Sequence, residues 1–154
     1  MKSINALRSL TLVLASAGLS TASAQSPDQM AQDVLARSPV IDGHNDVPEQ
    51  IAARFDRDLS QFDFRDTLPT MGAGSKPMHT DLARLRQGRV GGQFWSVWID
   101  PELPEFEAVQ RVIEQIDIVH RLVGQYPDDL QLALTAADVE AARKQGRIAS
   151  LIGM

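Results

Sequence analysis

Three short apolar runs, separated by helical patterns, constrain the fold of this chain more than any other feature. The first run, residues 39–44, begins with Pro39 and contains Gly43 near its end. The second run, GGQFWSVWI at 91–99, carries no charge, and the third run, IASLIGM, occupies 148–154. Runs of this length and composition are typical of strands that are buried on both faces of a parallel sheet. The sequence therefore predicts three parallel strands, with the second at the centre of the sheet.

Helical patterns precede and follow these strands. They predict a short helix over 28–38, capped by Ser26 or Asp28, and a second helix that begins after Thr80 or Asp81 and ends at Gln87. They also predict a long amphipathic helix over 105–126 and a fourth helix that runs from the capping sequence at Thr135 to about Gln145. The long helix carries its apolar stripe on Phe106, Val109, Val112, Ile113, Ile116, Val119 and Val123. Residues 54–80 have weak periodicity, and we expect an irregular loop there with at most one helical turn.

The alternation of strands and helices predicts an α/β fold, an incomplete (β/α)8 TIM barrel that contains only the first three strand–helix units. A complete barrel takes about 250 residues, and about 130 remain after the leader described below. A three-stranded sheet also has an open edge, which complete proteins cover. We therefore expect the sequence to be the N-terminal piece of a longer protein.

The first 24 residues have the pattern of a secretory signal peptide. Lys2 and Arg8 form a basic start, Leu10–Leu19 is a short apolar core, and Ala22-Ser23-Ala24 is a small-residue cleavage site. The alternative, a membrane-spanning helix, needs about 20 apolar residues. The pattern predicts cleavage before Gln25, a secreted or periplasmic location, and a barrel domain over 25–154.

Composition excludes two classes of function. The formal net charge is -5 and no run of Lys and Arg occurs, so the chain lacks the clustered cations that bind nucleic acid. The chain also has no cysteine, which excludes thiol chemistry and disulfides. Its stability must therefore come from a sizeable core or a bound metal.

The candidate metal ligands are His44 and Asp46, in the sequence DGHND at the carboxyl end of the first predicted strand. Alternate residues of a strand point the same way, so the imidazole and the carboxylate are expected on one side. These ligand types suit zinc, and active sites of barrel enzymes lie at this end of the strands. Asp42 could orient the imidazole by accepting a hydrogen bond from its other ring nitrogen, without contacting the metal. The competing interpretation is a chance pair, with Asp46 capping the next helix and His44 packed on the core.

The segments VIDGHNDVPEQI, HTDLARLRQGRVGGQFWSVWI, VIEQIDIVHRL and GRIASLIGM, in this order and spacing, resemble the opening of the renal, or membrane, dipeptidases. The resemblance covers about 39–154. It implies a (β/α)8 barrel of the amidohydrolase-like group with two zinc ions, and hydrolysis of dipeptides by zinc-activated water. It assigns His44 and Asp46 to one of the two metals.

The resemblance also places the family's metal-bridging glutamate one residue after Met154, and the remaining ligands and substrate-binding groups later still. It therefore implies no catalytic residue within this sequence, and we expect the piece to be inactive by itself. Many members carry a tryptophan at the position of Glu49, so the substrate contact there is expected to differ. The resemblance allows a homodimer of the full-length protein and leaves membrane association open.

Other residues are interpreted structurally. Capping or packing explains His79 and His120 better than metal ligation, and packing on opposite faces of a buried strand explains Trp95 and Trp98 better than ligand stacking. A solvated loop explains Asp56, Asp58, Asp63 and Asp66 better than a calcium site. Two other functions remain open: an exported binding or structural module without catalysis, and a related hydrolase that opens cyclic amides.

Overall fold

A computed structural model describes residues 24–69 and 76–154; the predicted signal peptide lies outside this part, apart from Ala24. The helices are α1 (Pro27–Arg37), α2 (Val47–Phe55), α3 (Leu82–Gln87), α4 (Glu105–Gln125) and α5 (Ala136–Lys144), and a 3₁₀ turn covers Leu59–Gln61. Four of the five helices were predicted close to these bounds. Of the proposed caps, the structure selects Ser26 for α1, Asp81 for α3 and the Thr135–Asp138 capping box for α5.

The sheet has four parallel strands, β1 (Val40–Asn45), β2 (Val90–Ser96), β3 (Leu130–Leu132) and β4 (Ile148–Gly153), in the order β1-β2-β4-β3. The three predicted strands are β1, β2 and β4, and they lie side by side in chain order, as successive strands of a barrel do. The prediction of a parallel α/β fold is therefore confirmed. The sequence did not reveal β3, because three residues are too few to show a period.

Within the described residues β1 is an edge strand and is largely exposed, which differs from the expectation that it is buried. Val40 and Ile41 are 40% and 50% exposed. Only β2 pairs with β1 among the described residues, and it approaches very closely: a Cβ at Gly91 would lie 2.7 Å from Pro39, and one at Gly92 would lie 2.8 Å from Ile41. Gly91 therefore allows a contact with the Pro39 ring that a larger residue would prevent, whereas a side chain at position 92 would require the end of the Ile41 side chain to move.

Strand β2 is central, as predicted, but it ends at Ser96 instead of continuing to Ile99. Trp95 is completely buried in the main core, whereas Trp98 lies beyond the strand and is 51% exposed. The prediction that packing accounts for both tryptophans is therefore confirmed for Trp95 and wrong for Trp98. Once the chain leaves the sheet, the alternation of a strand no longer determines which side chains are buried.

Both faces of the sheet are covered by side chains. In β4, Ile148 belongs to the main core, which is shared with α2, α3 and α4, whereas the next residue, Ala149, packs in a smaller cluster with Ala142 of α5. Adjacent residues of a strand point to opposite faces, so these are two separate layers. This arrangement agrees with the uncharged character of the runs in β2 and β4.

The described residues between α2 and α3, 56–69 and 76–81, are irregular apart from the 3₁₀ turn, as expected, but they are anchored by aromatic side chains. Phe62 and Phe64 are buried, and the ring centroid of Phe64 lies 5.8 Å from that of Trp95 and 6.2 Å from that of Tyr126. The Tyr126 hydroxyl accepts a hydrogen bond of 2.8 Å from the backbone N–H of Phe64. This loop is therefore part of the core, which periodicity could not show.

Helix α4 buries only part of the predicted stripe, in which Val119 is buried and Val123 packs against the core. The buried residues are Gln115, Ile118, Val119 and Leu122, all in its second half, while Phe106, Val109 and Ile113 are 73%, 55% and 60% exposed. Only the carboxyl-terminal half of the helix packs on the core. No helix in the described residues is long and apolar enough to cross a bilayer.

Candidate metal site

His44 and Asp46 flank the carboxyl end of β1, where the chain leaves the sheet for α2. The structure brings the two side chains together: Nε2 of His44 lies 2.9 Å from Oδ1 of Asp46. The side chains are 64% and 51% exposed. Residues 40–45 form a strand, as the prediction required. The two predicted ligands therefore converge on one point that solvent can reach.

The competing interpretation of this pair does not fit the geometry. Asp46 occupies the N-cap position of α2 but makes no side-chain capping hydrogen bond, and His44 is exposed instead of packed. The expected role of Asp42 needs correction, since its Oδ1 accepts from the backbone N–H of His44 and its Oδ2 accepts from Nε2 of Gln93, at 3.3 and 2.8 Å. Asp42 thus holds the backbone of the site, not the imidazole.

Asn45, between the two predicted ligands, fixes the turn on which they lie. Its Nδ2 donates to Oγ1 of Thr80 at 2.9 Å, and its Oδ1 accepts from the backbone N–H of Val47 at 3.2 Å. One side chain therefore joins the end of β1, the start of α2 and the segment before α3. Sequence reasoning missed this residue, because its partner is 35 positions away.

A buried network holds Thr80 in place. Asp81, which is 1% exposed, accepts from the backbone N–H and from Nε of Arg84 at 2.8 and 3.0 Å, and from the backbone N–H of Thr67 at 3.2 Å. Burial by itself raises the pKa of this carboxyl, but the hydrogen bonds and charge of Arg84, with the Thr67 N–H, outweigh it and hold the pKa below its usual value. Arg84 also donates to the backbone carbonyl of Met78 at 2.8 Å.

The pair opens into a cavity of about 350 Å³, which is lined by His44, Asn45, Asp46, Val47, Gln50, Arg54, Met78, His79 and Thr80. Nε of Arg54 donates to Gln50 at 2.7 Å, and its NH1 donates to the Lys76 carbonyl at 2.7 Å. Helix α2 and the 76–80 segment thus form two walls of one polar cleft. His79 is exposed and lies in this wall, so the prediction that it packs or caps was wrong.

Helix α2 supplies much of this cleft, yet no helix was predicted there. The signal was present: Pro48 occupies the first turn, and Val47, Ile51 and Phe55 recur at a spacing of four and are buried.

The residues present fit a zinc site in ligand type. An imidazole nitrogen and a carboxylate oxygen are both ordinary zinc ligands, and two ligands at about 2.0–2.1 Å from one tetrahedral ion stand roughly 3.3 Å apart. The observed 2.9 Å between His44 and Asp46 is a few tenths of an ångström shorter. Catalytic zinc sites use three protein ligands, and nowhere in residues 24–69 and 76–154 do three His, Asp or Glu side chains converge. The described residues thus bring together two side chains of a type that binds zinc, one fewer than a catalytic zinc site uses.

The remaining candidates lie apart from this cleft. His120 is exposed on α4, so packing does not account for it. The loop aspartates bond locally, as expected for a solvated loop: Asp58 accepts from the backbone N–H of Ser60 at 2.9 Å, and Asp63 and Asp66 accept from N–H groups two residues onward at 3.0 Å.

A parallel α/β sheet with a histidine and a carboxylate converging at the carboxyl end of a strand, beside a polar cleft, places the chain in the class of α/β barrel proteins, whose sites lie at that end of the strands. The model of one family matches residues 28–154, and it describes the membrane dipeptidases, peptidase family M19. The chain belongs to this family.

Curated relatives agree with this assignment. The chain is 44% identical over 132 residues to "Dipeptidase ataJ" of Aspergillus terreus and 40% identical over 134 residues to "Dipeptidase verJ" of Clonostachys rogersoniana. Each alignment covers 80% of this chain and, respectively, 30% and 32% of the relative. The chain thus spans about a third of the length of the relatives it matches.

Solved structures show the same fold. The crystal structure of dipeptidase AC, a metallopeptidase of family M19, matches with a TM-score of 0.56 at 21% identity, over 74% of this chain and 34% of that one. The probable dipeptidase PvdM from Pseudomonas aeruginosa matches with a TM-score of 0.52 at 18% identity, over 84% and 32%. The predicted fold, the first strand–helix units of a barrel, therefore agrees with the fold of about one third of these dipeptidase structures.

Proposed function

We propose that the full-length protein is a zinc-dependent dipeptidase in which His44 and Asp46 are ligands of one of two zinc ions. The single observation that carries the proposal is the convergence of these two side chains, 2.9 Å apart, at the carboxyl end of β1. The family assignment and the names of the relatives support dipeptides as the substrates. Free dipeptides are small and polar, which suits an open, polar cleft such as the one beside this pair.

Zinc, when bound at such a site, polarises a carbonyl and lowers the pKa of water. In this proposal, residues of this chain hold the zinc ion in place. His44 and Asp46 supply a nitrogen and an oxygen, Asn45 fixes the turn between them, and Asp42 holds the backbone N–H of His44. Arg54 bonds to Gln50 and to the Lys76 carbonyl and so joins the two walls of the cleft, α2 and the 76–80 segment.

Catalysis, in this proposal, requires ligands beyond those of the described residues. His44 and Asp46 are two donors, and no third His, Asp or Glu joins them in the part of the chain that the structure covers. A protein expressed as residues 25–154 is therefore expected to show no dipeptidase turnover with zinc. Strong turnover of Gly-D-Phe by that protein would contradict this part of the proposal.

The test of the ligand assignment uses the full-length gene product. Wild type should bind two zinc ions and lose hydrolysis of Gly-D-Phe with a chelator, while His44→Ala should lower both the zinc content and the activity strongly. His120→Ala is the matched control, because His120 is exposed on α4 and should leave both unchanged. If His44→Ala kept the full zinc content and activity, the ligand assignment would be wrong.

We also propose that the protein is exported, with a signal peptide at 1–24 that is removed before Gln25. The support is the sequence pattern: a basic start, a short apolar core and small residues at the cleavage site. Mass spectrometry of the exported protein should find Gln25, or its cyclised form, at the amino terminus. A mature protein that retains Met1 would contradict the proposal.

A further inference from the structure

A second cavity lies at the opposite end of the sheet from the His44–Asp46 pair. It has a volume of about 310 Å³, and its lining includes the starts of β2 and β4 and the last turns of α1 and α5. Four of the lining residues are arginines, Arg86, Arg89, Arg143 and Arg147, and none is an aspartate or glutamate. A protein with a net charge of -5 thus places four cations around one recess.

Three of these four arginines lack a carboxylate partner. Arg86 pairs with Asp129, whereas Arg89, Arg143 and Arg147 form no ion pair in the described part of the chain. The residues outside that part, 1–23 and 70–75, contain no Asp or Glu that could supply one. The charges of Arg89, Arg143 and Arg147 are therefore not paired with an Asp or Glu of this sequence.

The arginines also have a structural role, which must be separated from ligand binding. Arg143 donates to the carbonyl of Arg37, and Arg147 donates to the carbonyl of Pro127 at 3.3 Å. These bonds leave donors unused. A guanidinium has five N–H donors, and Arg89 and Arg143 each use one of them in the hydrogen bonds that the structure shows.

The backbone of Arg89 has a conformation that is unfavourable for any residue with a side chain. Its φ is +56°, in the left-handed region, which costs a residue other than glycine about 1 kcal/mol. Glycine would adopt this conformation without that cost. Arginine at this position therefore makes the folded protein less stable than glycine would. This cost points to a role of the Arg89 guanidinium other than stabilising the fold.

We propose that this cavity binds a phosphate-type oxyanion, held by Arg89 and Arg143 with Arg147 beside them. Guanidinium groups match the geometry of phosphate oxygens and form charge-assisted hydrogen bonds with them. The same chemistry could come from free phosphate or from the phosphate of a small monoester. The site is independent of the dipeptidase proposal, because it shares no residue with the cleft beside His44 and Asp46.

The experiment titrates the full-length protein with inorganic phosphate and, in parallel, with glycerol 3-phosphate, at an ionic strength held constant with sodium chloride. Binding is measured by calorimetry and by the rise in thermal midpoint. Wild type should bind at least one of the two ligands in preference to chloride. Tighter binding of glycerol 3-phosphate would identify a monoester as the ligand, and equal or weaker binding would identify the free anion.

The variants separate binding from folding. Arg89→Gly removes a guanidinium and relieves the left-handed strain, so it should weaken phosphate binding at least tenfold while the thermal midpoint without phosphate is retained or rises. Arg143→Gln should weaken binding similarly. Arg111→Ala, an exposed arginine on α4 that pairs with Glu114, is the control and should bind like wild type. If neither phosphate nor glycerol 3-phosphate acted more strongly than chloride, or if the Arg89→Gly variant bound normally, the proposal would be overturned.

Discussion

Replacing Asp81 by alanine should destabilise the protein by about 3 kcal/mol, because Asp81 is the buried centre of the network behind the candidate site. The loss of the N-cap hydrogen bond to the Arg84 N–H contributes about 1 kcal/mol. The buried N–H of Thr67 loses its acceptor, which costs about 1–3 kcal/mol. The ion pair with Arg84 adds at most about 1 kcal/mol, since the Arg84 side chain is 35% exposed and solvent screens it.

The assay is urea unfolding of the full-length protein, in which Asp81→Ala should lower the transition midpoint without changing the slope. Asp117→Ala is the matched control: it also removes an aspartate paired with an arginine, but Asp117 is 60% exposed on α4, so the loss should be about 0.3–0.5 kcal/mol. If the two variants lost equal free energy of unfolding, the argument that burial makes the Asp81 network strong would be refuted.

The same carboxyl gives a pH dependence with a definite sign. Because the pKa of Asp81 is lowered in the folded protein, its stabilisation is fully present above the unfolded value of about 3.9 and is lost as the pH falls through the lower folded value. The difference in free energy of unfolding between wild type and Asp81→Ala should therefore be constant from about pH 5 to 8 and shrink below about pH 4. A difference that grew on acidification would contradict the assigned direction.

Two further substitutions test the site and the core. Asn45→Ala should weaken zinc binding of the full-length protein about tenfold in a chelator competition, because the side chain that joins β1 to Thr80 fixes the turn between the predicted ligands; wild-type affinity would show that the pair needs no such support. Tyr126→Phe should lower the free energy of unfolding by about 1–2 kcal/mol, because the buried N–H of Phe64 loses its acceptor while the ring is kept. Unchanged stability in urea unfolding would mean that another group satisfies this N–H.

Local patterns predicted those features that depend on neighbours in the chain. The cap at Ser26 and the Thr135–Asp138 capping box involve residues three apart, and both were recognised from the sequence. The His44–Asp46 pair was recognised from its spacing of two, although Asp46 lies one residue beyond β1 and the two side chains meet at the turn into α2. The short strand β3 carried too little pattern, and the signal for α2 was not recognised.

Burial was predicted less well, because it depends on what packs against each element. Val40 and Ile41 have the composition of a buried strand but lie at the sheet edge, and Phe106 and Ile113 belong to a regular apolar stripe that remains exposed. Conversely, Phe64 lies in a segment without periodicity and is completely buried. Composition indicates which side chains can be buried, but it does not show whether another element packs against them.

The sequence by itself determined the parallel α/β arrangement, the order of most elements and the pair of candidate ligands, because each depends on residues two to four positions apart in the chain. Only the tertiary structure decided which residues support that pair and where the arginines gather. Thr80 meets Asn45 across 35 positions, and Arg86 and Arg147 line one cavity although they lie far apart in the chain. Such contacts form when packed elements bring distant segments together, and no local repeat in the sequence encodes them.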